Sequence, residues 1–435
     1  MDIKKAEKMC IKLRAFGYEE YTVQTECGHE VYVFLNDSER KAYICIPDDV
    51  TEVGFDFDIA EKEKPFRDGA DHTVTSKFND LIQYNYDIKV YGGESLTTTR
   101  LLFNNIRAAS IDLSCFETKN VRTMEGMFFN CELNSGTVSF GGKFTTENVR
   151  SMKAMFGGFR AKKLVLTALD THNVKNMSCM FAESRFEQTL DISGMTHGGE
   201  DISSMFNRCS ADSIVIGKSF DTSRTTNMCS MFARCNTDAL DLNGLNTSSC
   251  VNMSTMFSLC QAKRLDLRSF DTSNVTDMWG MFSTCRAEKL MLDSFDTSKV
   301  TDMSYMFDDC RAKELDISGF DTSNVLYMSG MFSGYRAKAL DLSGLDTSSC
   351  VNMSNMFSEC YVPCLDLSGF DLSKVTDISL MFYGYDAGPL DLSSFHISAN
   401  TNTAGIFTQC CKKIELTDPK LIKAYNERVV FEGTK

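Results

Sequence analysis

Apolar residues recur along most of this chain in a pattern that repeats about every 25 residues. The clearest marker is a phenylalanine, usually preceded by methionine, which returns at steps of 25 residues from Phe232 onward. Earlier steps include one of 28 and one of 26 residues. A fixed period of this length indicates a repeat array, in which each unit buries its apolar side only against its neighbours. The markers are Phe103, Phe128, Phe156, Phe181, Phe206, Phe232, Phe257, Phe282, Phe307, Phe332, Phe357, Phe382 and Phe407.

One representative turn, residues 265–289, has the sequence LDLRSFDTSNVTDMWGMFSTCRAEK. Its first three residues alternate apolar, polar and apolar, which is typical of a short strand with one buried face. Later apolar residues recur at i, i+3, i+4 and i+7, which favours a short helix; they are Met278, Met281, Phe282 and Cys285. Asn274 or Thr276 would cap this helix, with Asp277 in its first turn.

The repeat therefore predicts an α/β solenoid of about thirteen strand–bend–helix turns over residues 75–416. The leucine or isoleucine that opens each turn would build a parallel sheet with strands about 4.8 Å apart. Residues 417–435 predict a C-terminal capping helix, because Asp418-Pro419 is a helix start signal. Residues 1–55 predict a small α+β domain with one helix and a three-stranded meander, and the charged stretch 56–74 predicts a linker.

The composition fits a reused core, with 24 Met, 32 Phe and 18 Cys against 5 Pro and 1 Trp. A net charge of −14 argues against a nucleic-acid partner, because phosphate recognition depends on Lys and Arg. No apolar run reaches the roughly 20 residues of a membrane-spanning helix, and the first residues lack the apolar stretch of a signal peptide. We expect no membrane insertion and a reducing cytoplasm, with the cell surface as the alternative location.

An aspartate between the two strand leucines recurs in most turns and gives the candidate binding site. The partner-binding residues predicted from this position are Asp241, Asp266, Asp316, Asp341, Asp366 and Asp391. These side chains leave the core, so they would stack along the open strand face, with nearby lysines such as Lys263, Lys289, Lys313 and Lys338 offsetting part of their repulsion. One interpretation is a polar column that protects exposed strands from aggregation. The other is a docking surface for a basic protein.

A cysteine column occupies the end of the predicted helix in many turns, and Phe159, Tyr335 and Tyr385 replace it in others. The column includes Cys131, Cys209, Cys235, Cys260, Cys285, Cys310, Cys360 and Cys410. A small apolar thiol in a core accounts for it, whereas zinc needs four converging ligands that a linear column does not offer. The N-terminal group Cys10, Cys27, His29 and Cys45 has no paired Cys-x-x-Cys spacing. No catalytic motif occurs, so we expect no enzyme activity, no metal and no cofactor.

The repeat also resembles a known family. The run Leu-Asp-Leu-Ser-x-Phe-Asp-Thr-Ser-Asn-Val-Thr-Asp-Met-Ser-x-Met-Phe, nearly complete over residues 315–332 and 365–382, is similar to the BspA-like bacterial leucine-rich repeats. The resemblance covers residues 100–416. It implies a leucine-rich-repeat-like fold and a binding role without catalytic residues, in a family of bacterial surface proteins and adhesins.

Three functional hypotheses follow. The first is an intracellular protein, such as a phage- or mobile-element-encoded inhibitor or regulator, that binds or occludes a protein partner with its strand face. The second is a BspA-like surface adhesin. The third is an enzymatic or signalling N-terminal domain that the solenoid targets.

Overall fold

The computed structural model describes residues 12–24, 30–47, 50, 85–134, 137–167, 169–196 and 199–429. The chain forms two compact units, Met1–Asp221 and Thr222–Lys435. Each unit is a β-solenoid whose successive turns are joined by parallel backbone bridges, and together the units hold about thirteen turns. The repeat and the solenoid predicted from the sequence are therefore confirmed.

Strands in unit 1 are short except near its N-terminal end. The strands are β1 (Glu19–Gln24), β2 (Glu30–Asn36), β3 (Lys41–Ile46), β4 (Asp87–Gly92), β5 (Arg107–Ala108), β6 (Ser110–Phe116), β7 (Glu132–Leu133), β8 (Val138–Ser139), β9 (Arg160–Ala161), β10 (Arg185–Phe186), β11 (Leu190–Asp191) and β12 (Ser213–Val215). The six-stranded sheet has the order β1-β2-β3-β4-β6-β8, antiparallel from β1 to β3 and parallel from β3 onward.

The predicted N-terminal meander is present as β1, β2 and β3. Because β3 pairs in parallel with β4, these strands continue the sheet that the first solenoid turns form. Residues 12–15 are helical, which agrees with the end of the predicted N-terminal helix. The predicted linker 56–74 lies outside the described residues, so the proposed domain boundaries stay predictions.

In its described residues, 222–429, unit 2 has five strands and one helix. Their bounds are β13 (Ala239–Asp241), β14 (Arg264–Asp266), β15 (Lys289–Met291), β16 (Leu390–Leu392), β17 (Ile414–Leu416) and α1 (Pro419–Asn426). The structure describes residues 199–429 throughout, and within them residues 315–317, 340–342 and 365–367 form no strand. The strand face of unit 2 is therefore not the continuous parallel ladder that the leucine pattern predicts.

The prediction of a short helix in each turn is wrong. Residues 277–285 and their equivalents, called the turn ribbon below, form a chain of tight turns instead. Each ribbon begins at a residue that forms a parallel bridge to the next turn, and in unit 2 these bridges are unbroken from Asn227 to Asn402. The turn ribbon, and not the leucine strand, is thus the continuous backbone connection of the solenoid.

Backbone N–H groups of the turn ribbon alternate between two kinds of acceptor. Every second N–H donates to a carbonyl of the following turn, at 2.6–3.0 Å: Met278 to Asp302, Gly280 to Ser304, Phe282 to Met306 and Thr284 to Asp308. The N–H groups between them donate to the carbonyl three residues back, at 3.0–3.2 Å: Met281 to Met278, Ser283 to Gly280 and Cys285 to Phe282. Buried donors all need partners, so this alternation satisfies the ribbon without an α-helix.

Left-handed residues produce the alternation. Gly280 has φ +58° and Thr284 has φ +54°, and equivalent pairs four residues apart recur along both units. A residue in the left-handed region ends a right-handed helix, so two in every nine residues prevent one from forming. The 3,4-spacing of apolar residues survives because each tight turn returns the chain to the core after three or four residues.

Phenylalanine rings stack through the centre of each unit. Phe282 is fully buried and lies between Phe257 and Phe307, with ring centroids 5.8 and 5.7 Å away and planes within 6° of parallel. In unit 1 the stack runs from Phe103 to Phe206 with centroids 5.2–5.6 Å apart. Each ring therefore contacts both neighbouring turns, which is how one turn stabilises the next.

Polar residues of the Asp-Thr-Ser-Asn signature also join the turns. Thr272 is almost fully buried, and its Oγ1 donates to the carbonyl of Asp296 at 2.8 Å. Asn274 was expected to cap a helix, but its Nδ2 donates to the carbonyl of Ser248 in the preceding turn at 2.8 Å. These signature residues are thus structural, because they satisfy backbone groups that the bend leaves open.

The predicted C-terminal helix is present as α1. Asp418 caps it by accepting the N–H groups of Lys420 and Leu421, and Pro419 occupies its first position. The Tyr425 ring packs edge-on against Phe407, with centroids 5.7 Å apart, and so covers the last ring of the unit 2 stack. This contact caps the exposed end of the core.

Replacing Phe282 with alanine should destabilise the protein by about 3–5 kcal/mol, because it empties a buried aromatic position shared by two neighbours. Phe16→Ala is the matched control, since that ring is 74% exposed. Denaturant unfolding should show a loss only for Phe282→Ala. Equal losses would contradict the stacked core.

Thr284→Gly tests the conformation of the turn ribbon. At φ +54° a β-branched residue is strained, so glycine should stabilise the protein by about 1 kcal/mol. The same change in an α-helix would cost about 0.5–1 kcal/mol. Ser258→Gly, one position before a left-handed residue, is the control and should be destabilising; a loss in both variants would favour the helical interpretation.

Thiol reactivity should follow burial. The sixteen cysteines that the structure describes are free thiols, of which Cys364 and Cys411 are exposed. Maleimide labelling of the native protein, mapped by mass spectrometry, should modify these two rapidly and Cys285 only after denaturation, because burial raises the pKa of Cys285 well above the usual value.

Thiol counting in denaturant without reductant should return close to all 18 cysteines. A count near two would indicate disulfides.

Candidate functional site

The six aspartates predicted to bind a partner, called the strand row below, lie at equivalent positions on the surface of unit 2. Asp266 is half-buried and the other five are exposed. Asp241, Asp266 and Asp391 lie in strands, whereas Asp316, Asp341 and Asp366 lie in extended segments without strand pairing. Asp316, Asp341, Asp366 and Asp391 follow one another in consecutive turns and form one row. Buried Met291 occupies the equivalent position between Asp266 and Asp316, and the sheet beneath the row is interrupted.

Each strand-row carboxylate also has a local structural role. Its Oδ1 accepts the backbone N–H two residues later, at 2.9–3.3 Å, from Asn243, Arg268, Ser318, Ser343, Ser368 and Ser393 respectively. This Asx turn ends the extended segment and starts the bend. The same side chains thus serve the fold and line the surface.

Hydrogen bonds lower the pKa of five strand-row carboxylates, which are Asp266, Asp316, Asp341, Asp366 and Asp391. Side-chain and backbone donation by Ser318 lowers the pKa of Asp316, and Ser368 has the same effect on Asp366. Arg268 lowers the pKa of Asp266 to about 2, and its Nη2 lies 2.7 Å from Asp266 Oδ2. These carboxylates therefore remain negative at neutral pH.

The lysines near the strand row do not all act as the sequence predicts. Lys313 Nζ lies 2.5 Å from Glu288 Oε2, so it pairs with a glutamate of the preceding turn. The strand-row residue Asp266 forms an ion pair with an arginine, Arg268. Both pairs are largely exposed and contribute little to stability.

A second row of carboxylates was missed by the sequence interpretation. This bend row comprises Asp271, Asp296, Asp321, Asp346 and Asp371, all exposed. In each case the hydroxyl or N–H of a serine two residues later donates to Oδ1 and lowers the pKa of the carboxylate. The signal was available, because these aspartates follow the strand-row position by five residues at the same 25-residue period.

Small residues separate the two rows in three consecutive turns. Ser-Gly pairs at residues 318–319, 343–344 and 368–369 lie between the strand-row and bend-row aspartates. A Cβ added to Gly319 or Gly369 would meet no atom within 4 Å, and neither residue has a positive φ. The bend does not need glycine at these two positions, so their effect is to leave the surface between the carboxylates open.

The cysteine column lies in the core, as predicted. Burial raises the pKa of Cys260 to about 11 and that of Cys209 to about 12, which makes both thiols poor nucleophiles. Within the described part of the chain, no group of three or more His, Cys, Asp or Glu side chains is placed to hold a metal ion. Of the N-terminal group, Cys45 is buried beside Phe34, and Cys10, Cys27 and His29 lie outside the described residues.

No helix among the described residues has the length and apolar character needed to cross a bilayer.

One described histidine has a carboxylate partner: His172 Nδ1 lies 2.7 Å from Asp170 Oδ1, and both side chains are about half exposed. This pair sits in a tight turn, where Asp170 also accepts the N–H of His172. The pair is accounted for by the turn it closes.

Comparison with known proteins places most of the chain in one family. Residues 72–156, 133–211, 200–318 and 302–417 each match the same family model, so the match covers the whole solenoid region. No curated protein and no solved structure matches the chain. This match does not confirm the BspA-like resemblance, which stays a prediction. The chain belongs to the family described as Mycoplasma protein of unknown function, DUF285.

Proposed function

We propose that this protein is a non-catalytic binding scaffold that docks a basic protein surface on the two carboxylate rows of unit 2. This proposal rests on the open surface between the rows. Four residues separate the two aspartates of a turn: two are buried and apolar, and the two at the surface are serine and glycine. This holds for Asp316 and Asp321, Asp341 and Asp346, and Asp366 and Asp371. A repeat scaffold supplies such a surface at regular spacing.

Electrostatics support a basic partner. The segments 314–324 and 339–349 contain carboxylates and no lysine or arginine. Each carboxylate is oriented by its Asx turn before a partner arrives, so binding would not have to order it. Rows of oriented negative charge accelerate and align the approach of a positive surface.

The location and role follow as part of the proposal. We place the protein in the cytoplasm, where its many free thiols would stay reduced, as an inhibitor or regulator that occludes its partner. The continuous pairing of β3 with β4 supports an N-terminal segment that extends the scaffold rather than an independent enzyme. The alternative is a surface adhesin, which the BspA-like resemblance of the repeat favours; cell fractionation distinguishes the two.

The test replaces Asp316, Asp341 and Asp366 with asparagine in one protein. Asparagine keeps the Oδ1 acceptor of each Asx turn, so stability should change little, while loss of three oriented charges should weaken partner binding by roughly tenfold or more. The partner is first identified by pull-down from host lysate and mass spectrometry, and affinity is then measured by calorimetric titration.

A charge-matched control replaces Glu359 with Gln and Asp377 and Asp386 with Asn, all in unit 2 but outside both rows. This control should bind like the wild type. A second probe, Gly319→Gln with Gly369→Gln, keeps every charge and should still weaken binding by obstructing the open surface. If both the strand-row variant and the glycine variant bind the partner with wild-type affinity, the rows are only a solvated surface and not the binding site.

A further inference from the structure

The turn ribbon of unit 2 carries an exposed aromatic group that the proposed function does not use. Trp279, the only tryptophan of the chain, is 43% exposed, and Tyr327 is 45% exposed. The Tyr305 ring packs edge-to-face on Trp279, with centroids 6.1 Å apart and planes at 68°. In the other turn ribbons of unit 2, the position equivalent to Trp279 holds Ser, Cys or Ala. Trp279 is therefore the one large side chain at this position of the unit 2 ribbons.

Gly330 leaves room for the Tyr305 ring. A Cβ on Gly330 would lie 2.4 Å from Tyr305 Cε1, so the ring fits only because the residue beneath it in the next turn is glycine. The same pairing of a large side chain with a glycine of the next turn occurs at Leu380 and Gly405. The Tyr305 ring therefore packs over the Gly330 backbone and against the Trp279 ring.

Carboxylates alone supply the charge on the two ribbons that carry the pair. Residues 277–285 and 302–310 include four aspartates and no lysine or arginine: Asp277, Asp302, Asp308 and Asp309. Asp277 and Asp302 are backbone partners in a parallel bridge, and Asp277 Oδ1 accepts the backbone N–H of Trp279 at 2.9 Å. Asp308 donates its N–H to the Tyr305 carbonyl at 3.2 Å.

Two of these carboxylates are partly withdrawn from water. Burial raises the pKa of Asp277 and of Asp308, although Ser283 Oγ donates to Asp308 Oδ2 at 3.2 Å. A partly desolvated carboxylate gains more from an incoming cation than a fully hydrated one does. The ribbon therefore offers negative charge beside an exposed indole.

Charge complementarity identifies the occupant. A guanidinium stacks on an aromatic face and pairs with a carboxylate through its planar fork, so arginine suits this combination better than lysine. The chain itself stacks Arg336 on Tyr361 at 3.7 Å and Arg428 on Tyr425 at 3.8 Å. In the described residues no cation lies over Trp279 or Tyr305, which leaves this aromatic pair open to a partner.

We propose that Trp279, Tyr305, Asp302 and Asp308 form a docking site for an arginine side chain of a partner protein. This site lies on the turn ribbon and does not require the strand row or the bend row. It would give the scaffold a second contact of the same sign at a different position of the turn.

The single tryptophan provides the measurement. The full-length protein is titrated with a capped hexa-arginine peptide while Trp279 emission is recorded, with hexa-lysine and hexa-glutamate as comparisons. Hexa-arginine should change the emission saturably, hexa-lysine should bind more weakly, and hexa-glutamate should have no effect. Replacing Asp302 and Asp308 with asparagine should weaken the hexa-arginine response by roughly tenfold.

Two further variants separate this site from the rows. The triple strand-row variant should keep the Trp279 response, and Glu359→Gln with Asp377→Asn, which removes two other ribbon charges, should also keep it. The proposal is overturned if saturating hexa-arginine leaves Trp279 emission unchanged, or if the Asp302 and Asp308 variant titrates like the wild type. Loss of the response in the strand-row variant alone would also overturn it, because the peptide would then bind at the rows.

Discussion

Backbone N–H groups of the turn ribbon donate in alternation to the carbonyl three residues back and to a carbonyl of the following turn. This alternation sets the architecture, because each turn completes its hydrogen bonds only when the next turn is in place. Gly280 and Thr284, both left-handed, redirect the chain so that every second donor faces the neighbour. The stacked phenylalanines then follow, since bridged turns bring ring positions such as Phe257 and Phe282 into register.

The same constraint explains why so much of the polar signature is unavailable for binding. Buried Thr272 and the amide of Asn274 bond to neighbouring turns, and Asp277 closes the start of the ribbon by accepting a backbone N–H. What remains for recognition is a small set of outward positions. The carboxylate rows with their open Ser-Gly surface and the Trp279 pair are such positions, and both carry negative charge.

A division of labour between scaffold and surface follows from this arrangement. Equivalent positions in successive turns are placed by the backbone, so a substitution such as tryptophan for serine on the ribbon alters the surface without altering the fold. The core cysteines, with pKa values raised by burial, contribute packing rather than chemistry.

The sequence by itself determined the 25-residue period, the inward positions such as Phe282 and Cys285, the three N-terminal strands and the capping helix that begins at Pro419. Periodic burial and capping chemistry are local properties, so they are legible in one sequence. The tertiary structure decided the conformation of the ribbon, because i, i+3, i+4 and i+7 spacing fits both an α-helix and a series of tight turns. The choice between them depends on where each N–H finds its acceptor, and half of those acceptors belong to the next turn. Contacts such as that of Trp279 with Tyr305 were decided in the same way, by a neighbour 26 residues further along the chain.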